Sequence, residues 1–423
     1  MKAILQRLSL AVAVFTLATA AEAEFKAGIA VRNVTPEPLL PVSGGVGDSK
    51  PTQVKQGELT VRAIVFADGT NRVAICSADF LGFPANLGAK VRAAVPSIAP
   101  QNILIGATHT HSAPDCYGFP DGKGGTSSDP KYLEQVCTRM AEAINEAVSK
   151  MQPASLKIAT AEAKGKIAYN YYADQLYDPR CHVIQALDAG GKPIATLVNY
   201  AIHPEVIGAS QGICSPDLIG PLYDTISENG GGTGIFLNSA QGGMVTADNR
   251  RPGGEANDWP ECQRIGRLLA QEALRIVKDA PVQATPVLFC GAYTLKLPVD
   301  SPLMRQLLKA IPAGAGSQVE ENTVATQLNV VNLGNAQILT IPGEALPNIG
   351  YYLKRKMHGE HNLLFGLTND AFGYILTRED FGSFHRYDYV SRTSLGERTG
   401  TILVDEALKF IAQCPNPEKV DAK

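Results

Sequence analysis

The chain has 423 residues, 45% of them hydrophobic and 19% charged, with 38 basic and 41 acidic side chains and a formal net charge of −3. A single core seldom grows past about 250–300 residues, so the length implies two domains or one large multi-layer domain. Ordinary apolar content excludes disorder, and the absence of any Lys/Arg run excludes a phosphate-tracking nucleic-acid surface.

The N-terminus reads as a targeting segment. Lys2 and Arg7 precede the apolar run Leu8 to Ala20, too short for a mature membrane span, and Ala21-Glu22-Ala23 offers a small-x-small cleavage site. Residues 1–23 are therefore expected to be a signal peptide, and the protein to be exported, periplasmic or secreted. Their removal takes away Lys2, Arg7 and Glu22 and leaves 36 basic against 40 acidic residues, a net of −4. No later stretch reaches about 18 uninterrupted apolar residues, so no transmembrane segment is expected.

Four later segments share one pattern, a strand-like apolar run that ends in a polar cluster. Ile103 to Ala107 leads into Thr108-His109-Thr110-His111, and Ala195 to Ile202 leads into His203-Pro204. Gly234 to Leu237 leads into Asn238-Ser-Ala-Gln-Gly-Gly243, and Gln337 to Ile341 into Pro342-Gly343-Glu344. In α/β sheets ligands bind beyond the strand ends, so four strands delivering polar groups imply one convergent site. Between them, Tyr132, Val136, Met140, Ile144 and Val148 form a helical apolar stripe. Asp258 is placed to cap a helix through Ile265, Leu268, Ala273 and Ile276, and 344–357 and 395–411 read as two more. Gly- and Pro-rich stretches at 115–130, 208–221, 247–258 and 312–320 read as loops, the first two as pocket walls. The eight Cys contain no C-x-x-C pair, so a thiolate metal site has no support. Cys76 and Cys290 sit in strand-like runs, whereas Cys116 and Cys214 lie in loops and are free to pair. With no internal repeat or compositional break, residues 24–414 are expected to form one large catalytic domain, followed by a loose polar tail at 415–423.

The His109/His111 pair carries the sharpest chemistry. Two imidazoles at i and i+2 on a strand share a face, an arrangement suited to metal ligation and equally to a satisfied polar pair. A metallo-β-lactamase pattern would need an acid at position 113, which is Ala. His203 can supply a further imidazole and Glu344 a hard oxygen, a set that suits a catalytic zinc ion with an open position.

These residues and their order resemble the neutral/alkaline (non-lysosomal) ceramidase family in its catalytic domain. The matching stretches are Gly28 to Pro36, Gly106 to Pro114, Asn199 to Pro204, Ile341 to Glu344 and Tyr374 to Glu379. The resemblance implies an α/β fold of mixed β-sheets flanked by helices. It implies one zinc per chain, held by His109, His203, Glu344 and Tyr374. His111 would then face the substrate and protonate the leaving nitrogen, and Tyr387 would polarise the scissile carbonyl. The implied substrate is a small-molecule or lipid-like amide such as N-acylsphingosine, with transient contact to a membrane surface compatible with it.

Three departures stand out. Where the family has Gly-Asp-Val-Ser-Pro, this chain has Gly243-Met-Val-Thr-Ala247, so Thr246 keeps a hydroxyl but loses its acidic neighbour. The family's Asn-Arg-Ser appears as Asn170-Tyr171-Tyr172, and no counterpart of the usual C-terminal immunoglobulin-like domain is expected. A zinc esterase or amidase on a non-lipid substrate (a lactone, acylated sugar or peptide-like amide) is the alternative within enzymes. An inactive exported binding protein of the same fold is the alternative outside them. A serine hydrolase lacks its Gly-x-Ser-x-Gly elbow here.

Overall fold

The computed structural model describes residues 24–121, 123–310 and 319–419; the expected signal peptide and most of the 312–320 loop lie outside them. Two mixed sheets organise the molecule. The larger contains β1 (Lys26–Asn33), β2 (Thr60–Asp68), β3 (Asn71–Ala78), β4 (Ile103–Ala107), β5 (Gln152–Glu162), β6 (Arg180–Asp188), β7 (Pro193–Tyr200), β8 (Thr233–Asn238) and β9 (Val282–Gln283). Its order is β8-β7-β6-β5-β1-β2-β3-β4, with β9 on β5. β7 runs parallel to β8 and β3 to β4, and the other neighbours are antiparallel. The smaller sheet runs β10 (Leu288–Pro298), β11 (Thr323–Leu333), β12 (Ala336–Thr340) and β13 (His361–Phe365), with the last pair parallel.

Strands such as β4 are buried along their whole length because both sheet faces are covered. Ile64, Phe66, Ile75, Leu104, Ile184 and Leu197 on the larger sheet meet Val331, Leu333, Ile338, Leu363 and Phe365 on the smaller. Helices α1 (Ala85–Ala93), α2 (Pro130–Ser149), α3 (Ile219–Glu228) and α4 (Trp259–Val277) cover the outer face of the larger sheet. The smaller sheet is backed by α6 (Pro347–Lys356) and α8 (Thr399–Gln413). Two shorter helices, α5 (Pro302–Ala310) and α7 (Asp388–Arg392), flank the site. The expected mixed α/β architecture is therefore the observed one, as an α/β/β/α stack.

Local signals explain the helix starts. Asp129 accepts from the Lys131 and Tyr132 amides ahead of Pro130, and Asp258 accepts from the Glu261 amide at 2.9 Å. Two expected boundaries move. The helix expected at 344–357 begins at Pro347, leaving Glu344 in a two-residue strand, and that expected at 395–411 begins at Thr399. All eight Cys are free thiols; Cys116 donates to the Gly82 carbonyl at 2.7 Å. The start of the tail is tied down, with the Pro415 carbonyl accepting from Asn332 and the Glu418 amide donating to Gly334.

Candidate active site

The carboxyl ends of β4, β7 and β12 deliver His109 and His111, His203, and Glu344, and the segment after β13 delivers Tyr374. Asn238, at the end of β8, ties the histidine segments together. Its amide nitrogen donates to Thr108 O at 3.1 Å and Ile202 O at 2.7 Å, and its oxygen accepts from the Ile202 amide at 3.2 Å. The main chain zips the same segments, with His111 N donating to Pro204 O at 3.1 Å. Glu344 pairs in parallel with Tyr374. Against it lies Gly242, where a Cβ would come within 2.2 Å of the Glu344 carbonyl, so only glycine fits.

The two histidines meet by a route the strand pattern did not imply: both lie beyond the end of β4. His109 takes a left-handed backbone (φ 73°), a conformation that costs a non-glycine residue roughly 1–3 kcal/mol and clusters at functional sites. It is held there by its amide on Phe80 O at 2.9 Å and its Nδ1 on Leu81 O at 2.5 Å. The His109 ring centroid then lies 4.8 Å from those of both His111 and His203.

Carbonyl partners fix the tautomers. His109 Nδ1 faces Leu81 O and His203 Nδ1 faces Val245 O at 2.8 Å, so both carry the proton on Nδ1 and present Nε2 lone pairs inward. These converge on one carboxylate oxygen: Glu344 Oε2 lies 3.2 Å from His203 Nε2 and 3.5 Å from His109 Nε2. Acceptors facing an acceptor, all buried, require a proton or a cation between them. In the metal-free protein the proton serves. Burial disfavours the charged imidazole, yet the Glu344 hydrogen bond raises His203 to about 9. Burial likewise opposes the Glu344 carboxylate, but His109 and His203 hold it well below its ordinary value. His111 is held well below its ordinary value by burial and by the neighbouring His109 and His203 imidazoles. Nε2 of His109 and of His111 have no hydrogen-bond partner. One ring nitrogen from each of His109, His111 and His203 falls within 4.8 Å of the others, so this buried group could hold a metal ion.

Beside the cluster opens a cavity of about 370 Å³. Its wall is mostly apolar, with Leu81, Phe119, Met304, Leu307, Leu308 and Phe372, and His109, His111 and Glu344 are among the polar groups that line it. Tyr374 borders it too, with its hydroxyl donating to Met244 Sδ at 3.2 Å. Tyr387 is buried against the Tyr172 and Phe384 rings, and Tyr389, which stacks edge-on to Tyr374 at 5.8 Å, is the tyrosine on the cavity wall beside it. Thr246 donates to Glu205 Oε1 at 2.6 Å, and Glu205 Oε2 stands 3.6 Å from His111 Nδ1. Sequence reasoning missed Glu205 and Tyr389; the only signal for Glu205 was a carboxylate directly after His203-Pro204. Of the remaining histidines, His358 and His385 are exposed, whereas the half-buried His361 is joined through Thr160 to the buried His182.

The same arrangement of layers is found in solved structures. Over 95% of this chain, the fold superposes on neutral ceramidase from Pseudomonas aeruginosa with a TM-score of 0.75 at 16% identity, covering 77% of that chain. The chain has the neutral ceramidase-type fold. A ceramidase complexed with C2 matches over the same shares with a TM-score of 0.75 at 17% identity. No family sequence profile and no curated protein sequence matches the chain.

Proposed function

We propose that this protein is an exported, zinc-dependent hydrolase that cleaves the amide bond of an N-acyl, lipid-like substrate of the N-acylsphingosine kind. The observation that carries the reading is the set of inward acceptors, His109 Nε2, His203 Nε2 and Glu344 Oε2, beside a mostly apolar cavity that His109 and Glu344 line. Neutral ceramidase shares its fold with this chain, which supports the amide as the scissile bond. Export rests on the N-terminal apolar run and its cleavage site. No helix among the described residues is long and apolar enough to cross a membrane.

His109, His203 and Glu344 would hold the ion, with Tyr374 completing the set. When bound, zinc supplies Lewis acidity toward a water molecule and the scissile carbonyl. The chain's own groups do the rest. The apolar wall takes the acyl chain and excludes water from the polar groups. His111, kept neutral by burial and its neighbours, is poised to accept a proton from the attacking water and hand it to the leaving nitrogen. A phenol donates to the carbonyl oxygen as charge develops there. We assign that donor to Tyr389 on the cavity wall, with Tyr387 behind Tyr172 as the second candidate. Thr246 acts through Glu205.

The test is fatty-acid release by purified protein from N-acylsphingosines of several chain lengths, from short N-acyl amides and from esters, before and after chelation. The reading predicts release from long N-acyl amides, lost on chelation and restored by zinc. Turnover that survives chelation would remove the metal from the account. Turnover of short esters alone would replace the lipid amide with a non-lipid substrate, and ligand binding without turnover would leave a binding protein.

A further inference from the structure

Glu205 is a carboxylate beside the Glu344 cluster with two claims on its oxygens. Its Oε1 accepts from the Thr246 hydroxyl at 2.6 Å, and its Oε2 lies 3.6 Å from Nδ1 of His111. The backbone leaves it little choice of neighbour. Glu205 N bonds to His203 O at 3.1 Å, Pro204 O accepts from His111 N at 3.1 Å, and His203 and Thr246 form a parallel bridge. Three segments are thus sewn together around one side chain, which is only 24% exposed.

His109 and His203 each have a backbone carbonyl to fix the Nδ1 proton. His111 has none: its Nε2 is buried without a partner, and the Glu205 carboxylate is the acceptor beside its Nδ1. We propose that Glu205 is the positioning residue of the site, dictating that His111 carries its proton on Nδ1 and turns an Nε2 lone pair toward the cavity. The Thr246 hydroxyl, by occupying Oε1, aims Oε2 at the ring. A carboxylate that orients an imidazole in this way is a recurrent device, because the neutral ring can carry its proton on either of two nitrogens and a neighbouring acceptor selects one of them. Without Glu205 the His111 ring is free to carry its proton on Nε2, where it cannot take one from water.

The role presupposes the hydrolytic reading, so the test has one arm that does not depend on it. Glu205→Gln keeps the side-chain shape and removes the second strong acceptor; Glu205→Asp keeps the charge. Protein labelled with ¹⁵N-histidine, metal-free and at neutral pH, is read by long-range ¹H–¹⁵N NMR, with His111→Ala assigning the signal. Wild type should show His111 as the Nδ1–H tautomer, and Glu205→Gln should convert it to the Nε2–H form or a mixture. In the zinc-loaded enzyme, Glu205→Gln should lower kcat by about 10–100-fold with KM within about twofold, the usual scale for a lost orienting partner, and Glu205→Asp should recover part of it. A His111 signal that is unchanged in Glu205→Gln, in protein that melts like wild type, would overturn the proposal whatever the enzyme's substrate proves to be. Absence of amide turnover in wild type, with the tautomer shift present, would overturn the hydrolytic reading and leave Glu205's role standing.

Discussion

Two histidine-bearing clusters among the described residues differ in one respect. In the first, Lys354 donates to Asp178 at 3.1 Å and to His182 Nε2 at 3.1 Å; His182 Nδ1 meets Thr160 at 2.9 Å, and Thr160 meets His361 Nδ1 at 3.0 Å. Each donor there faces an acceptor, and the network staples α6 to β5, β6 and β13. In the second, His109, His203 and Glu344 turn acceptors toward one another, and ring nitrogens of His109 and His111 have no partner. Buried histidines alone therefore do not mark chemistry. A mismatch of donors and acceptors that takes an added proton or a cation to resolve does.

The largest effect that would break this contrast lies in the mismatched cluster. His203→Ala or Glu344→Gln should remove bound zinc and lower kcat/KM by about a thousandfold or more, the scale of losing a group that stabilises transition-state charge. Next comes the satisfied cluster. Lys354→Met leaves the Asp178 carboxylate short of its buried cation and should destabilise the fold by about 3 kcal/mol in denaturant unfolding, with zinc content retained. If Lys354→Met instead emptied the metal site, the two clusters would not be independent. The smallest effect is in acid. Burial opposes the Asp178 carboxylate, but Lys354 and Arg180 outweigh it and hold the carboxyl well below its ordinary value. A group depressed on folding contributes stability above its unfolded value, near 4, and loses it as pH falls toward the folded one. Stability should therefore fall below about pH 5, and Asp178→Asn should flatten that acid limb by up to about one proton, or 1.36 kcal/mol per pH unit. Parallel curves for the two proteins would contradict the assignment.

The contrast also explains what could be read in advance. His109, His203 and Glu344 were legible because each follows an apolar run long enough to be a buried strand, and such strands end where sites form. Glu205 was not, since a lone carboxylate after proline looks like any surface loop. Lys354 sits in the basic run Lys354-Arg355-Lys356, which reads as a solvated helix end; only the packing of α6 over β6 and β13 buries the first of the three. Tyr389 lines the cavity from α7, just after a short 3₁₀ turn at His385–Tyr387, and that change of pitch has no sequence period. The antiparallel β10–β11 pair, eleven residues long, joins strands that α5 separates in the chain, so no local turn announces it.

If the mismatched cluster is a metal site, metal content reports on it with no substrate needed. Zinc should be measured in wild type, His203→Ala and Lys354→Met after equilibration with excess ion and desalting. About one zinc per chain in wild type and Lys354→Met, with none in His203→Ala, is the predicted result. Zinc bound equally by His203→Ala, or by none of the three folded proteins, would contradict it.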